Sequence, residues 1–319
     1  MSDVHLAVGL RSSDRPPEQK RTLTEICSTS GWLRWVAVVL ALAALYVVTA
    51  RLGLMLALPP EKKATAVWPP SGIALAALLL YGHRIWPGVW LGSFLANLWD
   101  GFTAVNPFPL SAHLFVSAGI ATGSTLQALA GNFLVRRWTG SVRPFQQAAH
   151  AFMFAGVAML VCLIAATFGV ASLYLGGFAP AKAITFIWWT WWLGDMTGVL
   201  TVGSFLLAWS RRPSFDRHPS QLAEAVLLFL LLSAQACVIF GIVLPITGLP
   251  VPLAYLVIPF LVWATFRFGL HGATAALVLA SALAVVGTAQ APARSPSRPS
   301  RLPYSSCKYT WASSASPYW

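Results

Sequence analysis

Charged residues are scarce in this chain of 319 residues: 9%, against about 25% in a typical soluble domain. Acids are scarcer still. Between positions 31 and 290 there are only Glu61, Asp100, Asp195, Asp216 and Glu224, against thirteen Lys or Arg. That shortage excludes a water-solvated globular surface. Cysteine is nearly absent too. Cys27, Cys162, Cys237 and Cys307 stand alone, and they read as small apolar residues in a reducing context, not as a disulfide framework. There is no zinc-ligand spacing and no phosphate-cradling glycine loop, so no metal or cofactor is expected. The alternating strands of about ten residues that a membrane β-barrel needs are missing as well.

What the chain has is apolar length. Hydrophobic residues make up 57% of it, and nine apolar stretches follow one another: about 32–58, 67–81, 85–100, 110–135, 147–173, 184–209, 222–246, 251–267 and 270–289. Stretches of this kind define an all-α, polytopic transmembrane bundle, with the lipid bilayer as its solvent. The second and third stretches are short, and Gly82, His83 and Arg84 join them; they read as a tight helical hairpin or a pair of half-helices. The net charge of +12 is mainly loop Lys and Arg, which reports orientation before nucleic-acid binding, and no nucleic acid is expected as a partner. Arg34, Arg84, the Arg136–Arg137–Arg143 loop and the Arg211–Arg212–Arg217 loop all fall on one side if the N terminus is cytoplasmic. Lys62 and Lys63 are the exception, partly offset by Glu61. Nine complete crossings would leave the C terminus outside, so the expected number is about eight, within seven to nine.

Three segments follow: a polar cytoplasmic region 1–30, a membrane domain 31–290 and a tail 291–319. The first thirty residues hold four bases and four acids and do not form a cleavable signal peptide. The tail is rich in Ser, Pro and Arg and is expected to be disordered, or to arise from out-of-frame translation.

Asp195 is the only acid in the middle of a long apolar run, inside Trp191-Trp192-Leu193-Gly194-Asp195-Met196-Thr197-Gly198. At 1.5 Å per residue it lies about 16 Å from the run's start at Ile184, near mid-bilayer. A carboxylate there costs several kcal/mol, on the order of 3, unless protonated, paired or hydrated. It is either a pin between helices or part of a sensing or transport site. Trp191 and Trp192 place aromatic surface beside it, suited to a cation or an amphipathic ligand. Trp68-Pro69-Pro70-Ser71-Gly72 opens a helix, since proline fits the first turn, where its missing N–H would be unpaired anyway. The free N–H groups at Ser71 and Gly72 suit an anion or a carboxylate; the plainer reading is a helix start with Trp68 at the headgroups. Gly88 and Gly92, four apart, make a flat packing face that leads to Asn97. His113, Gln127, Asn132, His150 and Gln235 read as interhelical hydrogen-bonding groups. Arg267 reads as an interfacial cation or a partner for Asp195.

In order, the strings Val67-Trp68-Pro69-Pro70-Ser71-Gly72-Ile73-Ala74, Trp86-Pro87-Gly88 with Leu91-Gly92 and Ala96-Asn97-Leu98, Trp192-Leu193-Gly194-Asp195 with Gly198-Val199-Leu200, and Arg267-Phe268-Gly269 resemble the first type of membrane-associated sensor domain of bacterial signalling proteins. The resemblance covers about residues 32–290. It implies an integral membrane input domain of about eight helices in the inner membrane, ahead of a histidine kinase, diguanylate cyclase or phosphodiesterase, with a cytoplasmic C terminus and no catalysis of its own. It also implies a cytoplasmic signalling module or membrane protein as partner, and a homodimer where the parent is a kinase or cyclase. The sensing candidates are Asp195, Trp191, Trp192, Trp68, Pro69, Pro70, Ser71, Gly72, Asn97 and Arg267. The rival class is a small-solute transporter or permease-like carrier, favoured by the Pro/Gly-interrupted stretches and the intramembrane acid. A membrane enzyme lacks a catalytic pair. No kinase or cyclase signature follows the last stretch, so a frameshifted or truncated sensor is the preferred account of the tail. Reading all three frames of the gene from the codon for Ala282 past Trp319 tests it: another frame is expected to restore a helix end and an output module, and three closed frames would leave a stand-alone membrane module.

Overall fold

A computed structural model describes residues 29–55, 67–103, 108–140, 145, 147–211, 219–240, 242 and 255–294. Expectations for the first 28 residues, for Glu61–Lys63, for the loop at 245–250 and for the tail from 295 lie outside these. Among the described residues all regular structure is helical: α1 (Thr29–Met55), α2 (Pro69–Tyr81), α3 (Trp86–Thr103), α4 (Leu110–Thr139), α5 (Ala148–Leu175), α6 (Ile184–Gly198), α7 (Ser204–Trp209), α8 (Pro219–Ile239) and α9 (Val257–Arg294). Five of them, α1, α4, α5, α8 and α9, are long and apolar enough to cross a membrane. Their lipid-side surfaces carry large apolar side chains such as Phe133, Phe152 and Phe266, as a bilayer solvent demands.

The short helix α2 is central. Its 13 residues span about 20 Å, less than the roughly 30 Å of hydrocarbon. Nine of them are buried, from Pro70 to Leu79. It packs against α1, α4, α6 and the turn after α6; α3 instead packs between α1 and α4. The second and third stretches are therefore joined tightly, through Gly82 and a 3-10 turn at His83–Ile85, yet diverge into different layers. One end of this assembly is tied by its basic residues. The Trp35 indole donates to the Arg84 carbonyl, 3.2 Å, and the Arg136 guanidinium donates to Leu79 O, 2.7 Å.

The 184–209 stretch is one rod with a flaw. Between α6 and α7 a π turn spans Val199–Gly203. A Cβ on Gly72 would strike the Gly198 carbonyl and the Gly203 amide, and a Cβ on Gly198 would strike the Trp68 carbonyl. The end of α6 and the turn thus present two glycines, Gly198 and Gly203, to the start of α2, and the two backbones touch. Gly88 and Gly92 give α3 the same kind of approach to Val39, Leu42, Ala43 and Tyr46 of α1.

The eighth and ninth stretches meet inside α9. Gly269 takes φ 59° and ψ −150°, a conformation open to glycine and strained for L residues. The chain folds back there: the Ala264 carbonyl, eight residues earlier, sits against the Cα side of Gly272. Both limbs bury Ala264, Phe268, Ala276 and Ala280 on Leu228 and Leu232 of α8. The helix continues to Arg294, a few residues past the boundary expected at 290, because helix ends are set by local fraying more than by composition.

Gly72→Ala or Gly198→Ala is expected to lower the thermal stability of the purified protein by about 1–3 kcal/mol or more, since a methyl would meet rigid backbone. Gly156→Ala, where a Cβ meets open space, is the control and is expected to be neutral or slightly stabilising. Equal melting of all three variants would show that the α2–π-turn contact is loose.

Candidate functional site

Trp68 precedes α2, Pro69 and Pro70 occupy its first two positions, and Ser71 and Gly72 follow. Two of the N–H groups that a helix start leaves without partners are therefore absent by composition. The backbone N–H of Trp68 donates to the Gly194 carbonyl, 2.9 Å, fastening the start of α2 to α6. The Ser71 hydroxyl donates to Asp195 Oδ1, 2.6 Å. The positive end of the α2 dipole thus faces the carboxylate, a favourable pairing made stronger by exclusion from water. Asp195 is 2% exposed. The two segments singled out in the sequence, 124 residues apart at Ser71 and Asp195, form one joint.

Beside the joint lies a narrow cavity of about 50 Å³, lined by Tyr46 of α1, Trp68, Ser93 and Asn97 of α3, Ser124 of α4, and Trp191 and Asp195 of α6, with Leu54, Ile120 and Gly194 completing its wall. That is room for a few water molecules. The Asn97 amide donates to the Ser93 carbonyl, 2.8 Å, which fixes its nitrogen and leaves its oxygen free of that bond. The Tyr46 hydroxyl lies among Ser93, Ser124 and the Trp68 indole, and the Trp191 indole reaches the Asp195 carboxyl. Tyr46 is 1% exposed, the largest fully buried side chain among the described residues.

The structure gathers Asp195, Trp191, Trp68, Ser71 and Asn97 here, with Pro69, Pro70 and Gly72 shaping the joint. Two candidates lie elsewhere. Trp192 is rotated about 100° from Trp191 on the helix; its indole donates to the Met159 carbonyl of α5, 2.9 Å, and stacks on Trp188. Arg267 pairs with Glu224 of α8, which also accepts from the Trp263 indole, 3.1 Å, so it is not the partner of Asp195. Trp68 is half-buried, its ring packed against Gly53 near the end of α1. Interhelical hydrogen bonds do not account for the lesser polar groups. Asn132 Oδ1 accepts from Arg136 of its own helix, and His113 Nε2, Gln127 Oε1, His150 Nδ1 and Gln235 Oε1 are buried without a partner among the described residues.

Sequence reasoning missed Tyr46, Ser93 and Ser124. A signal existed for one of them: Tyr46 is the only tyrosine in the first apolar stretch, and Gly92 of the flat α3 face packs on its Cβ.

Among the described residues no group of three or more His, Cys, Asp or Glu is placed to hold a metal; the site is a polar joint inside a helical bundle. Residues 38–297 match the MASE1 family, and the chain belongs to it: these are membrane-associated sensor domains found in histidine kinases and diguanylate cyclases. The protein is thus a membrane sensory input domain. Searches of curated proteins and of solved structures gave no match.

Ser71→Ala is expected to cost about 1–3 kcal/mol, because the buried carboxylate loses its donor. In a double-mutant cycle Ser71→Ala and Asp195→Asn should couple by at least about 0.5 kcal/mol, whereas Arg267→Gln and Asp195→Asn should add. Additivity of the first pair would place Ser71 and Asp195 apart.

Proposed function

We infer that the chain is the signal-input unit of a bacterial inner-membrane signalling protein, setting the activity of a cytoplasmic histidine kinase or of a diguanylate cyclase or phosphodiesterase. One observation carries this: the start of a buried half-helix rests on a lone acid, Asp195, and on a π turn, irregular backbone on which a shift of α2 against α6–α7 would act. A stimulus that favours one placement of α2 over another shifts the population. The shift reaches α9 through α7, whose Trp209 indole donates to the His271 carbonyl, 3.3 Å. Arg34, Arg84 and Arg136 gather at one end of the bundle by the contacts of Trp35 with Arg84 and of Arg136 with Leu79, which supports a cytoplasmic N terminus. A homodimer, or a separate membrane partner, would carry the signal where the output works as a pair.

The carrier reading keeps one observation in its favour, a half-helix whose positive end meets an acid inside the bundle. Uptake of solute by vesicles holding the purified protein, abolished by Asp195→Asn, would favour it over the sensor reading.

Residues 1–294 joined ahead of a diguanylate cyclase test the sensor role. Asp195→Asn and Ser71→Ala are expected to change basal cyclic di-GMP output by about threefold or more at equal membrane abundance, the effect of a bias of under 1 kcal/mol between two states. Phe266→Ala on the lipid-side surface is the control. Output unchanged by both site variants would reduce Asp195 to a structural pin.

A further inference from the structure

The geometry points to a binding site for one small monovalent alkali cation in the cavity beside Asp195. This rests on the reading of that cavity as the sensing region and names the chemistry of its ligand. Three observations carry it. First, the donor set is hard oxygen: the Asp195 carboxylate, the hydroxyls of Tyr46, Ser93 and Ser124, and the Asn97 carboxamide, drawn from α1, α3, α4 and α6. Such oxygens suit alkali and alkaline-earth ions and not the softer transition metals.

Second, the charge count selects a monovalent ion. Asp195 is the only acid in the wall, and among the described residues it forms no ion pair. Arg51, the basic residue of the described part of α1 nearest in sequence to Tyr46, does not line the cavity; its guanidinium lies 5.7 Å from the centre of the Trp99 ring. One carboxylate and several neutral oxygens balance a single positive charge, whereas divalent ions are held by several carboxylates. A cation also offsets the cost of burying the acid in an apolar bundle.

Third, the space suits a small ligand. A space of about 50 Å³ holds an ion and one or two waters, and falls well below the roughly 150 Å³ that accommodates a benzene ring. The indoles of Trp68 and Trp191 complete the wall of the space. Occupancy would couple the four helices that supply the donors to the α2 start, because Ser71 binds the same carboxylate.

The full chain in nanodiscs of neutral lipid should melt at higher temperature in LiCl, NaCl or KCl than in choline chloride of equal ionic strength. A saturable rise of about 2–4 °C is expected with at least one alkali ion. Asp195→Asn should abolish the rise. Ser124→Ala, which leaves the joint intact, should keep the fold and raise the half-saturating concentration about tenfold, so a misfolded Asp195→Asn does not decide the matter. Identical melting in all four salts overturns the proposal, as does a rise of undiminished size and midpoint in Ser124→Ala. Cation-insensitive melting with a normal response in the cyclase fusion removes the ion and leaves the sensor reading standing. The reverse result removes the sensor reading and leaves the ion.

Discussion

Everything near the centre of this bundle depends on one electrostatic arrangement: the Asp195 carboxylate set against the N-terminal end of α2. A helix that begins inside a membrane protein exposes donors with no water to satisfy them. Here two prolines remove donors, the Trp68 amide finds Gly194, and the serine hydroxyl binds the acid. The acid in turn needs that positive end. Each group would be costly alone, and each offsets the other's cost.

Short side chains make the arrangement reachable. Gly72, Gly198 and Gly203 let two backbones touch, and the larger number of residues per turn in the π turn presents the last two to the first. A regular α-helix rotates by about 100° per residue, so residues five apart would diverge by more than a third of a turn. The polar joint and the irregular turn are therefore one structural solution: the first needs a close approach, the second provides it.

Much of the frame was legible from the order of residues. The apolar runs mark every described helix, the rod at 184–209 ends where expected, and Arg267-Phe268-Gly269 marks the fold in α9, because length and glycine are local signals. Trp68–Gly72 and Asp195 were legible as separate oddities, a proline-led helix start and a stranded acid. Their meeting was not, since nothing local encodes which distant helix answers a buried charge. For the same reason the pairing of Arg267 with Glu224 was not legible, and the alternative that it answers Asp195 stayed open. Tyr46, Ser93 and Ser124 were overlooked because single hydroxyls in apolar helices usually bond their own backbone, as Thr125 does to Ala121. Only the convergence of α1, α3 and α4 gives them a shared purpose. Trp192 was misplaced by a finer error: adjacent tryptophans share a sequence motif but point to different neighbours.

The long separation between the two halves of the joint has a consequence for synthesis. Ribosomes add about 5–20 residues per second, so the 124 residues from Ser71 to Asp195 take roughly 6–25 s to emerge. Throughout that interval α2 exists without the acid that settles its first turn and without the glycines it leans on. Quality control of such a chain is thus a matter of timing as much as of stability, and the sixth apolar stretch is the point at which the early helices become committed.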